Sequence, residues 1–278
     1  SRWGDREWWN GGYEARGGLT NYLKNGYVAD DKTNESVART LEFALSDYCI
    51  AQMAKALGKT ADYEDLMRRA KNYRYLYNPK TKLFQARNAD GSWAGEHSGF
   101  TEGANWTYQF CVMQDVQGLI DLMGGDESFA AALDNVFDNG HYRHDNEPGH
   151  HYVYLYNYCG RFDKAQERIP EILDTHYRNG ADGLSGNDDC GQMSAWYLFS
   201  SLGFYPVTPA SGEYALGIPR FPSARVELPH GKVLTVRAEG LKEHKHLPVI
   251  LFNGKKLDAP FIDIRDLMKG GVLEFKAE

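Results

Sequence analysis

The connections between helical runs alternate between short turns and long polar loops, and that rhythm constrains the fold more than any other feature. Residues 35–57 place Val37, Leu41, Ala44, Tyr48, Ala51 and Ala54 at intervals of three and four, with Thr33 or Asn34 as cap and Gly58 as stop. A second run over 62–77 carries Leu66, Ala70 and Tyr73 on one face and ends at Asn78-Pro79, so the pair reads as a helical hairpin. Further runs are expected over 106–123, 127–137, 149–158, 163–178 (kinked or restarted at Pro170) and 192–202, with Gly124-Gly125 and Gly203 as breaks. Paired helices whose long loops are rich in Asp, Glu, His and Trp are the pattern of an α/α toroid, or a piece of one, with the loops meeting at one end.

After Gly203 the period changes from 3.6 to 2. Arg225-Val226-Glu227-Leu228, Val233 to Ala238, Val249 to Phe252 and Val272 to Phe275 are short β-branched runs, and Asn253-Gly254 is a hairpin turn signal. These strands are too few for a sandwich of their own and are expected to complete a sheet lying elsewhere. The expected organisation is 1–203 as part of a helical barrel and 204–278 as a β-strand segment.

The balance of charge narrows the partners. A net charge of -7 argues against nucleic acid or an anionic membrane, and no apolar run reaches the 18 or so residues of a membrane span. Cys49, Cys111, Cys159 and Cys190 form no CxxC pair, which disfavours thiolate zinc and leaves buried free thiols as the expectation. The glycines of 11–18 lack the Gly-Lys-Ser/Thr ending of a phosphate loop. Arg16 in that segment is suited to pairing with an acid, or to clamping a ligand.

Three loops hold the candidate chemistry. In His97-Ser98-Gly99-Phe100-Thr101-Glu102-Gly103-Ala104-Asn105-Trp106, a single carboxylic acid sits among glycines and aromatics. Such surroundings favour the protonated form a general acid needs, although a carboxylate serving a helix N-terminus fits the local pattern equally well. The second loop holds His144, Asp145, Asn146 and Glu147, followed by His150-His151. The oxygens of Asn146 and Glu147 are of the kind calcium accepts, whereas histidines stacked in an aromatic core are expected more than histidine metal ligands. The third loop, Gly186-Asn187-Asp188-Asp189-Cys190-Gly191-Gln192, offers two carboxylates that either act as a base or cap the next helix. An acid on one loop and a carboxylate base on another suit glycoside hydrolysis.

The stretch Gly-Tyr-Glu-Ala-Arg-Gly-Gly near the start, Thr101-Glu102-Gly103 with Trp106 and Tyr108, Asn146-Glu147-Pro148 with His150-His151, and Gly186 to Trp196 followed by Gly203-Phe204-Tyr205-Pro206 together resemble glycoside hydrolase family ninety-two. That resemblance implies a calcium-dependent exo-α-mannosidase that inverts the anomeric centre. It also implies an N-terminal β-sandwich, an (α/α)6 barrel and C-terminal strands that return to the sandwich, so the chain is expected to begin partway through the barrel. By the same resemblance Glu102 is the general acid and Asp189 the base, with Asp188 or Asn187 in support. Asn146 and Glu147 lie at the calcium loop, and Trp106, Asn105, His144, His150 and Arg16 are candidate sugar contacts. The order Glu102-Gly103-Ala104-Asn105-Trp106-Thr107 departs from the common Glu-Gly-Asn-Ala-Trp-Gln. The substrate implied is a mannose-rich N-glycan or mannan, probed at α-1,2 linkages in the periplasm or outside the cell. A mannose-binding fragment and an α/α-toroid lyase are the rival readings.

Overall fold

A computed structural model describes residues 16–277. The chain divides into two compact units, Ser1–Met123 and Gly124–Glu278, and each is described by itself. The start of the first glycine-rich loop, Gly11 to Ala15, lies outside the described residues.

The first unit contains α1 (Leu19–Asn25), α2 (Ser36–Ala56), α3 (Thr60–Arg69), a 3-10 turn at Asn72–Leu76 and a small hairpin of β1 (Tyr77–Asn78) and β2 (Leu83–Phe84). It continues with α4 (Asn105–Tyr108), a second 3-10 turn at Met113–Asp115 and α5 (Val116–Met123). Helices α2 and α3 make the expected hairpin: Ala51, Ala54 and Leu66 bury together, with Tyr63 and Met67 packed alongside. Gly58, at φ 68°, takes the left-handed conformation that ends α2. On the other side of α2, Phe43 packs with Tyr22, Val28 and Leu19. The fully buried carboxylate of Asp47 is held by Arg16 at 2.5 Å, the Tyr22 hydroxyl at 3.0 Å and Arg69 at 3.2 Å, the partners a charge removed from water requires.

Two expectations for this unit are corrected. Neither Thr33 nor Asn34 caps α2. Glu35 is the N-cap, in a left-handed conformation, and the free amides of Val37 and Ala38 donate instead to the carbonyl of Gly99 at 2.9 and 3.0 Å. The run expected over 106–123 is also broken. Its backbone leaves the helix after Tyr108, which puts both Phe110 and Val112 in the core at 0 % exposure, and it re-enters through the second 3-10 turn.

The second unit opens with α6 (Asp126–Asp138), a 3-10 turn at Glu147–Gly149, a 3-10 helix at Tyr152–Cys159, α7 (Phe162–His176) and α8 (Gln192–Leu202). Helix α7 is continuous through Pro170, so the expected restart does not occur. The aromatic run is 3-10 rather than α, and all of it except Tyr158 is buried. Strands β3 (Phe204–Tyr205), β4 (Glu213–Leu216), β5 (Ser223–Glu227), β6 (Val233–Ala238), β7 (Val249–Phe252), β8 (Lys255–Lys256) and β9 (Phe261–Asp263) follow, then α9 (Ile264–Leu267) and β10 (Gly271–Lys276).

The strands form a five-stranded sheet in the order β5-β6-β10-β7-β8 and a three-stranded sheet in the order β3-β4-β9. The last strand inserts between β6, to which it is parallel, and β7, to which it is antiparallel. Its Leu273 and Phe275 are fully buried while Glu274 between them points the other way, the alternation of a strand with one covered face. The Asn253-Gly254 turn joins β7 to β8 with both residues at positive φ, 52° and 78°. Gln166 of α7 ties the helices to the strand region, donating to the carbonyls of Gly217 and Leu247 and accepting from the amide of Leu247.

The cysteines are free, but only Cys159 is buried; Cys49 and Cys111 are half-buried and Cys190 is exposed at a loop tip. No helix among the described residues is long and apolar enough to cross a membrane.

Candidate active site

In the first unit the Glu102 loop is fixed at both ends. Asp30 accepts hydrogen bonds from Ser36 at 2.7 Å and from Ser98, and the Gly99 carbonyl caps α2. Gly99 itself is required here: its φ is 85°, and a Cβ would lie 2.6 Å from the Ser36 hydroxyl. Beyond it, the Tyr108 hydroxyl donates to the Thr101 carbonyl at 2.9 Å, and its ring pairs with Phe100 at 5.6 Å. Glu102 sits between these anchors with φ 50°, a left-handed conformation that a glutamate adopts only under constraint. It is exposed, so its own sequence neighbours do not provide the apolar enclosure expected around it. Trp106 is half-buried. Asn105 is 5 % exposed, and its side-chain oxygen accepts from the Trp106 amide at 2.9 Å. Arg16 pairs with Asp47 through Nη1 and lies over the Phe43 ring, the structural pairing its sequence context suited.

In the second unit the other two loops come together. A Cβ on Gly186 would lie 2.3 Å from the Asp145 carbonyl oxygen, so the carboxylate loop presses directly on the Asn146–Glu147 loop. The two aspartates then separate in role. Asp188 accepts from the Ser194 amide at 2.9 Å and the Ser194 hydroxyl at 3.0 Å, capping α8. Asp189, Cys190 and Gly191 follow with φ of 41°, 58° and 94°, three successive left-handed residues. Asp189 is exposed, and its carboxylate has no hydrogen bond or ion pair among the described residues.

Both candidate histidines lie in the core. His144 is 0 % exposed, its ring 4.4 Å from that of Trp196, with Nδ1 2.7 Å from the Tyr142 hydroxyl and Nε2 2.8 Å from the Tyr177 hydroxyl. The Tyr177 hydroxyl donates onward to the Met193 carbonyl at 3.0 Å, so it accepts from His144 Nε2–H, and Tyr142 donates to Nδ1. Burial pushes the His144 pKa down to about 2, helped by His150 and His176, and holds the ring neutral. His150 is 2 % exposed; its Nε2 meets the His144 carbonyl at 3.1 Å and its Nδ1 meets Gln192 at 3.2 Å. With every ring nitrogen taken, neither histidine is placed as a direct sugar contact. The sequence reading gave Tyr142, Tyr177, Ser194 and Tyr205 no role. Of these, Tyr142 lies in the aromatic-rich sequence around the two histidines, whereas Tyr177, Ser194 and Tyr205 are brought to the site only by the fold.

For a calcium ion the donor chemistry fits, and among the described residues the number of donors falls short. Asn146 offers an amide oxygen, one lone pair of which accepts from the Glu147 amide at 3.0 Å, and Glu147 offers a half-buried carboxylate. Among the described residues no group of three or more His, Cys, Asp or Glu side chains stands together as a metal site.

Residues 4–278 match the glycosyl hydrolase family 92 catalytic domain. The chain belongs to that family. A family 92 α-mannosidase of Bacteroides thetaiotaomicron is 42% identical with a TM-score of 0.88, over 93% of this chain and 36% of its own. A family 92 inverting mannosidase of the same organism is 34% identical with a TM-score of 0.87, over 93% and 39% respectively. An uncharacterized secreted glycosidase of Arthroderma benhamiae is 28% identical over 94% of this chain and 39% of its own length. The chain thus spans less than two-fifths of each of these relatives.

Proposed function

We propose that this family 92 chain carries the acid and the base of an inverting exo-α-mannosidase acting on terminal, α-1,2-linked mannose of N-glycans or mannan. The observation that carries the reading is the division of labour at the third loop. Asp188 is consumed in capping α8, whereas the adjacent Asp189 is held exposed and unpaired among the described residues by a left-handed backbone. Two bacterial relatives, an α-mannosidase and an inverting mannosidase, support the substrate and the stereochemistry.

In this mechanism Glu102 gives its proton to the glycosidic oxygen as the bond from C1 to that oxygen breaks. Asp189 removes a proton from a water whose oxygen bonds to C1 on the opposite face. Inversion follows from that single displacement. Asp188 positions the base through Ser194, and Trp106 offers an apolar face to the sugar. Asn105, Arg16, His144 and His150 act one layer behind, by fixing the loops that carry these groups. Asn146 and Glu147 would help hold a calcium ion, which when bound would steady sugar hydroxyls and favour ring distortion.

The helical hairpins of 1–203 belong in this reading to an (α/α)6 toroid. The strands of 204–278 join a β-sandwich completed by an N-terminal half. The secreted relative favours action outside the cell or in the periplasm. The doubly bonded rings of His144 and His150 count against a lyase base there.

The test compares two leaving groups. Glu102→Gln should abolish release from mannobiose yet spare a dinitrophenyl mannoside, whose phenolate departs without a proton, while Asp189→Asn should lose both. Equal losses on both substrates for Glu102→Gln would remove the acid assignment. Sugar binding without release in every form, including one joined to an N-terminal half, would favour the mannose-binding reading.

A further inference from the structure

Gln192 is the first residue of α8, three positions after Asp189, and its side chain reaches back into the histidine core. The protons along that path can be assigned from connectivity alone. His150 Nε2 faces the His144 carbonyl, which only accepts, so Nε2 carries the ring hydrogen. His150 is then an acceptor at Nδ1, and the group 3.2 Å away must be the Gln192 amide nitrogen. The other hydrogen on that nitrogen goes to the Tyr205 hydroxyl oxygen at 3.0 Å.

Tyr205 is therefore an acceptor toward Gln192, and its own hydroxyl hydrogen is left over. That hydrogen has no acceptor among the described residues, although Tyr205 is 8 % exposed and its ring is stacked at 5.1 Å on Tyr154. A buried hydroxyl whose donor side is unspent costs free energy unless a ligand oxygen or a water takes it. Burial, foremost, keeps the phenol protonated, with its pKa pushed up to about 12.

The geometry points to Tyr205 as a further substrate-binding residue, an ordered O–H donor set by Gln192 and offered to an oxygen of the bound sugar. Gln192 and His150 are the positioning residues that set its direction. The inference rests on the mannosidase reading for the identity of the ligand. It explains why an amide, rather than a carboxylate, stands at the start of α8: a glutamate there would accept from Tyr205 and turn the hydroxyl hydrogen inward.

The experiment is a double-mutant cycle on mannobiose hydrolysis, in whichever form of the protein releases mannose, alone or joined to an N-terminal half. Tyr205→Phe keeps the ring and its stacking and removes the hydroxyl, both the donor offered to the sugar and the oxygen that accepts from Gln192. It should cut kcat/KM about tenfold, the worth of one hydrogen bond to substrate, and lower the melting temperature by a few degrees through the Gln192 N–H left unpaired. Gln192→Glu should give a loss of similar size with the hydroxyl still present, and Tyr205→Phe in that background should cost little more. Wild-type kcat/KM in Tyr205→Phe, with the parent active, overturns the inference while leaving the mannosidase reading intact. Fully additive losses overturn the directional part. Inactivity of the parent in every form overturns the mannosidase reading, and the inference with it.

Discussion

Replacing Gly186 by alanine tests whether the packing of the carboxylate loop on the Asn146–Glu147 loop positions the base. An added Cβ would sit 2.3 Å from the Asp145 oxygen and 2.8 Å from its carbonyl carbon and Cα, against a normal non-bonded separation of roughly 3.5 Å. The contacts are backbone, so no side-chain rotation relieves them, and one loop must move by about 1 Å. Overpacking of this kind costs about 1–3 kcal/mol, offset by the ~0.4–1 kcal/mol that an alanine removes from the unfolded chain's entropy. Each net kcal/mol should lower the melting temperature by roughly 2–4 °C in a chain of this size. The larger effect is on rate, because a displacement of about 1 Å at a catalytic group costs on the order of 100-fold. Gly254→Ala is the control. Its φ of 78° brings a comparable backbone cost, but a Cβ there meets nothing within 4 Å. Thermal melts and kcat on mannobiose should show both variants losing stability and only Gly186→Ala losing most of its rate. Full activity in Gly186→Ala would refute the coupling of loop packing to the base.

Acidification should destabilise the fold through the buried histidines. The folded pKa of His144 lies near 2, below the unfolded value of about 6.5, so its contribution is fully present above pH 6.5 and is lost as pH falls toward 2. Between pH 7 and pH 5 that amounts to about 2 kcal/mol, with His150 and His176 shifting in the same direction. Denaturant melts across this range should show it, and a flat profile would contradict the neutral assignment of His144. Removing calcium with a chelator should lower both the melting temperature and mannose release, and added calcium should restore them. Indifference of both would remove the metal from the proposal.

Helix α8 and its Gly203 stop, and strands β6 and β7, are where periodicity and turn residues place them, because in these elements local preference and burial agree. The misreadings share a cause in groups distant in sequence. The cap of α2 is a carbonyl more than 60 residues away, at Gly99, and a side-chain pattern holds no trace of it. The run after Tyr108 has helical spacing, yet burying Phe110 and Val112 outweighs helix continuity, as tertiary packing commonly does. The parallel register of β10 on β6 likewise depends on chain topology rather than on either strand's residues.

At the candidate site, residue types were legible and roles were not. Asp188 and Asp189 are adjacent and chemically identical in sequence, and only backbone φ and the Ser194 contacts separate capping from exposure. His144 and His150 read as sugar contacts until their ring nitrogens are counted as taken.

The most direct measurement is the anomeric form of the first mannose released from α-1,2-mannobiose, followed by proton NMR before mutarotation. The form to use is the chain joined to an N-terminal half. Glu102 as acid with Asp189 activating water predicts β-mannose first. Initial α-mannose would mean retention through a covalent intermediate and would contradict the assignment of Asp189 as a base acting on water.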